Sequence, residues 1–291
     1  MAKNPTLLPR EHGAYAELAF PLVTGLALGG GPSLPALALG GAAVALFLAN
    51  EPLAVLLGAR GKRLKDQLGA RARRRGTTLL GVGILLGFAG ILGAGSSVWP
   101  LVLVPALAGI LLVPMVLAGR HKSVVGELLV VTAFTTLLLP LAAASGADRG
   151  RAVAAVGVWW LSFALGTLEV HAIKARHKNT GRSAWTRWAS PSVSGLTVLS
   201  ALGAVFGLFG SFLGSGYPGD GAPASAPGTG SGWGWISEGA PYLGHSALAV
   251  LAPALAILVL SLVRVHPKHL KRVGWTLVGA NSLALAILLR G

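Results

Sequence analysis

Cysteine is absent from the 291 residues. Disulfides, thiolate metal sites and cysteine nucleophiles are thereby excluded. Acidic residues are almost as scarce: nine Asp and Glu stand against 24 Lys and Arg, and charged residues of every kind make up 11% of the chain. An ordinary soluble domain carries about 25% charged residues, so long stretches here lack the polar surface that water requires. Apolar residues take their place. They make up 53% of the chain, mean hydropathy is +0.70, and runs such as Ala247–Val263 carry no charge at all. A run of about 20 apolar residues crosses a bilayer as a helix, and backbone groups in lipid must bond internally. The composition therefore predicts an all-α fold, a polytopic bundle of membrane helices.

Hydropathy predicts nine spans, at 14–31, 36–58, 77–95, 99–118, 126–145, 152–171, 190–214, 242–264 and 272–290. The basic residues sort onto alternate connections. Lys3 and Arg10 precede the first span, eight cations fall in 59–76, and Arg120 and Lys122 follow the fourth span. Five more lie in 172–189, and Arg264, Lys268, Lys271 and Arg272 surround the last connection. The opposite face holds only Arg149, Arg151 and Arg290. Cytoplasmic connections carry the excess of Lys and Arg, so the N-terminus is expected in the cytoplasm and the C-terminus outside, in a cell inner membrane. This topology also accounts for the formal charge of +15 without nucleic acid. Glu11 and Glu17 inside the first hydrophobic stretch do not suit a cleaved signal peptide.

The whole chain, 1–291, reads as one integral membrane domain, with 59–76 and 172–189 as basic cytoplasmic loops. The connection 215–241 is rich in Gly, Pro and Ser and has no Lys or Arg. Such composition cannot bury enough apolar area to offset its ordering entropy, so a flexible external loop is expected there.

Acids within spans are costly and commonly face a cavity or a partner. Glu11, Glu17, Glu51, Glu127 and Glu169 all fall toward the expected cytoplasmic side, joined by His12, Asn50 and His171. Four helices thus place carboxylates at similar height beneath two basic connections, the pattern of an inward-facing polar pocket. The plain alternative is that each Glu pairs singly with a cation at a helix end. His12 and Tyr15 are spaced to share a face of the first helix, whereas Glu17 lies deeper and needs a partner. Gly25/Gly29 and Gly203/Gly207 have small-residue spacing that suits tight helix packing. His171, Lys174 and His177 stand one turn apart, without the further acids a metal site would want.

The stretch HGAYA at 12–16, the Asn50-Glu51-Pro52 run, GTLEVHAIKARHKNTGRSAWTRW at 166–188 and the closing VRVHPKHLKRVGWTLVGANSLALAILL resemble the YwiC-like family of bacterial membrane proteins. That resemblance implies a topology rather than a reaction. A more distant likeness is to the UbiA superfamily of intramembrane prenyltransferases. It implies nine helices and a cytosol-facing cavity capped by the connections 59–76 and 172–189, and KSVVGELLVVTAFTTLLLPLAAASG at 122–146 is similar to their fifth-helix region. UbiA-like enzymes carry two Asp-rich motifs that hold Mg²⁺ on a diphosphate. The matching stretches here offer Asn50, Glu51 and a distant Asp66 in one, and Glu169 without any Asp in the other. Two isolated Glu residues make a poor cage for an ion that demands tight octahedral oxygen geometry, so Mg²⁺ is weakly supported and no metal ligand is assigned.

These features lead to an expected function: binding of an isoprenoid or lipid phosphate in the polar pocket, as a divergent UbiA-like transferase if a reaction occurs. Glu51 and Glu169 are the candidate catalytic residues. His12, Tyr15, Glu17, Asn50, Arg60, Lys62, His171 and Lys174 are the candidate substrate-binding residues. The alternatives are a non-catalytic assembly or stability factor for another membrane complex, and a transporter using the acids as relay groups. Nine spans give no even inverted repeat, which ranks the transporter last.

Overall fold

The computed structural model describes residues 7–9, 12–120, 122–178, 243–263 and 269–290. Every element among them is a helix: α1 (His12–Ala27), α2 (Leu34–Leu56), α3 (Lys62–Ala94), α4 (Trp99–Leu117), α5 (Val124–Thr136), α6 (Leu138–Ala144), α7 (Arg149–Lys178), α8 (Leu243–Val263) and α9 (Leu270–Arg290). The expected span 190–214 and the external loop 215–241 lie outside the described residues. Among the described residues seven segments are long and apolar enough to cross a membrane, with α5 and α6 together making one of them. The protein is a multi-pass helical membrane protein. The chain divides into two compact units, residues 1–148 and 149–291.

In the first unit α2 and α3 form a close antiparallel pair. Gly76, Gly83 and Gly90 recur every seven residues on the α3 face that meets α2. A Cβ on Gly83 would stand 2.9 Å from the Leu46 side chain, and one on Gly90 would stand 2.6 Å from that of Leu39. The missing side chains let the helix backbones approach, which is how apolar helices gain contact in lipid, where water supplies no driving force. The opposite face of α3 carries exposed Leu85, Phe88 and Leu92, and α4 exposes Leu107, Ile110 and Leu117. Exposed leucine at this density is the lipid-facing surface of a membrane protein.

Two local features differ from the sequence reading. The expected span 126–145 is broken at Leu137 into α5 and α6. Pro140 has no N–H to donate back along the helix, and its ring crowds the preceding turn. The Thr135 and Thr136 hydroxyls in that turn also donate to the Val131 and Thr132 carbonyls, at 2.8 and 2.6 Å. The second difference is the 59–76 connection, expected as a basic loop, which is helical from Lys62 onward. α3 therefore has 33 residues, about 50 Å at about 1.5 Å per residue, against about 30 Å for a hydrocarbon core. The stretch 172–189 is likewise helical through Lys178.

In the second unit α8 packs against both α7 and α9, and α7 also meets α9. Its core includes Ala155, Val158, Trp159, Leu165 and Ile173 from α7, Ala254 and Ile257 from α8, and Val273 and Ala284 from α9.

Candidate functional site

The end of α2 and the start of α3 carry the first group of candidate residues. Glu51 occupies the last turns of α2, where the pairing with α3 leaves it 3% exposed. Its Oε2 accepts a bond from Arg60 Nη2 at 2.5 Å, and the Arg60 side chain remains 31% exposed. Arg60 reaches back because the chain turns at Gly58 and Gly61, both with φ in the left-handed region (77° and 92°) that suits glycine. Four of a guanidinium's five N–H donors remain after one such bond, so the arrangement holds a charge over the helix end with capacity to spare.

The helical start of α3 extends this charge. Leu64, Leu68, Ala72 and Gly76 recur every four residues, and Leu68 and Ala72 pack with Leu7 and Val55. That stripe anchors the basic stretch as a helix, while Lys62, Arg63, Lys65, Arg71, Arg73 and Arg74 stay exposed. Asp66 is the one acid among them. Asn50 is exposed at the end of α2.

One turn back from Glu51, Phe47 joins aromatic rings from two other helices. Its ring lies 5.1 Å from that of Tyr15 on α1 and 5.7 Å from that of Phe134 on α5, edge to face in both cases. The Tyr15 hydroxyl donates to the Pro9 carbonyl at 3.1 Å, tying the segment before α1 to that helix. Glu17, two residues further along α1, is half-buried. His12 is the first residue of α1.

Glu169, His171 and Lys174 belong to α7 in the second unit. Glu169 is completely buried, and its Oε2 accepts a bond from Ser261 Oγ of α8 at 2.5 Å. His171 is half-buried and Lys174 exposed. The structure thus joins Tyr15 with Phe47 and Phe134, Glu51 with Arg60, and Glu169 with Ser261. Phe47, Phe134 and Ser261 were not candidates in the sequence. Hydropathy registers Phe47 and Phe134 as ordinary span residues, and no spacing rule links Ser261 to a residue 92 positions away.

Among the described residues no group of three or more His, Cys, Asp or Glu is placed to hold a metal ion. The Glu51 carboxylate is taken up by Arg60, a cation, so this donor set does not fit a magnesium cage.

Fold and site define a polytopic helical membrane protein with a cationic end on its first unit. Within that class, residues 8–143, most of the first unit, match the family described as YwiC-like protein. No curated protein and no solved structure matches the chain.

Proposed function

We propose that the first unit binds an isoprenoid or lipid phosphate at its cytoplasmic end. The observation that carries this reading is the helical continuation of α3 beyond its span, which aligns exposed cations beside the Glu51–Arg60 pair. Arg60 and Lys62 would take the phosphate, because guanidinium and ammonium donors form short, charge-assisted bonds to phosphate oxygens. Glu51 positions Arg60 rather than touching the ligand. The isoprenoid chain would lie along Tyr15, Phe47 and Phe134, where aromatic faces and edges favour contact with its double bonds and methyl groups. The excess of basic residues on alternate connections supports a cytoplasmic orientation for this end. The distant UbiA-like resemblance suggests the same ligand class.

Native mass spectrometry of the full chain in nanodiscs tests the reading, with farnesyl phosphate and farnesol as paired probes. The phosphate is expected to bind at least about tenfold more tightly than the alcohol, a difference of about 1.4 kcal/mol. Arg60→Gln is expected to remove most of that preference. Equal retention of phosphate and alcohol by the unaltered chain would overturn the proposal.

A further inference from the structure

Halfway along the second unit, two buried side chains each carry an oxygen without a hydrogen-bond partner. Ser162 on α7 is 3% exposed and Asn281 on α9 is 5% exposed. Neither Ser162 Oγ nor Asn281 Oδ1 has a hydrogen-bond partner.

The register of α7 against α9 puts Ser162 and Asn281 at one level. α7 and α9 meet at two points: Arg151 Nη2 donates to the Leu288 carbonyl at 3.2 Å, and Leu277 Cδ1 lies 3.4 Å from where a Cβ on Gly166 would stand. The helices are therefore antiparallel. Ser162 precedes Gly166 by one helical turn, and Asn281 follows Leu277 by one helical turn. In antiparallel helices those two steps run the same way, so the hydroxyl and the amide share one level of the seam. That level is close to the middle of both membrane-crossing segments, 149–174 and 270–290.

Polar groups left unpaired in hydrocarbon are costly, and two of them at one level compound the cost. A water molecule supplies what both atoms lack, since it donates two hydrogen bonds and the amide oxygen and hydroxyl oxygen each accept. Two turns further along the same face of α7, about 10 Å away, lies Glu169, the fully buried acid held by Ser261.

We propose that Ser162 and Asn281 bind water inside the α7–α9 seam. The site is separate from the phosphate site proposed for the first unit, and the two stand or fall independently.

The absence of native cysteine allows a direct test on the full chain in bilayers. Single variants Ser162→Cys and Asn281→Cys are exposed to Ag⁺, a small ion that reaches a thiolate only through water. Blocked thiols are then counted by maleimide labelling after denaturation. Val158→Cys and Leu165→Cys serve as controls, because both positions are buried apolar sites on α7 at 1% exposure. Because the reaction requires a hydrated thiolate, the two polar positions are expected to react at least about tenfold faster than the controls. Water-edited NMR on the unaltered chain adds a readout free of substitution, with magnetisation from water expected at the Asn281 side-chain amide protons. Equal silver rates at all four positions, or no transfer from water to Asn281, would overturn the proposal.

Discussion

Glu51 and Arg60 form an ion pair at the end of α2. The pair is asymmetric: the carboxylate is almost fully buried, and the guanidinium is about one-third exposed. Removing the exposed partner leaves a buried charge uncompensated, a loss of about 3–5 kcal/mol for fully buried pairs. Solvent screening at Arg60 reduces that figure. Arg60→Gln is therefore expected to lower stability more than Glu51→Gln does, by about 1–2 kcal/mol, and the double change should recover part of the loss. Thermal unfolding of the purified variants in detergent checks the order. If Glu51→Gln were the more damaging change, the buried carboxylate would not be the group that needs compensation. The sequence made both residues candidates but did not pair them. Their contact depends on the turn through Gly58 and Gly61, whose conformations are not encoded by hydropathy.

The basic stretch Lys62–Gly76 illustrates how elements depend on what they pack against. Its charge density suits a solvated loop, and propensity alone would not hold a helix there. The four-residue stripe of Leu64, Leu68, Ala72 and Gly76 supplies the missing contact by packing on the end of α2 and on Leu7. That stripe is visible in the sequence, although the charges around it dominate any hydropathy window. The membrane-crossing parts of the helices were easier to read because lipid permits an unpaired chain few alternatives. The break at Leu137 was less legible: Pro140 signals a disturbance without fixing whether the helix bends or stops. The glycine face of α3 makes the element-scale prediction. Gly90→Val is expected to cost about 1–3 kcal/mol through overpacking, because Leu39 fills the space a side chain would need. Gly81→Ala should be near neutral, since nothing lies within 4 Å of its added carbon. Matching thermal stabilities for the two variants would show that the α2–α3 contact is looser than described.

At the scale of the whole molecule, two compact units carry different polar features. The first ends in exposed cations over an aromatic cluster, and the second encloses Glu169, Ser261, Ser162 and Asn281 among apolar helices. The sequence reading placed acids of both units at similar depth, which a one-dimensional profile can do. Depth follows from hydropathy, but the direction a side chain takes around its helix follows from packing. Photo-crosslinking most directly tests the central claim, that the cationic end of the first unit is a phosphate-lipid site. A photoreactive prenyl phosphate would be irradiated with the full chain in a bilayer, and the adducts mapped by peptide mass spectrometry. Adducts are expected on α1, α2 and α5 around Tyr15, Phe47 and Phe134, and excess unlabelled prenyl phosphate, but not prenol, should suppress them. Adducts confined to the lipid-facing surface of α4, or unaffected by the competing phosphate, would contradict it.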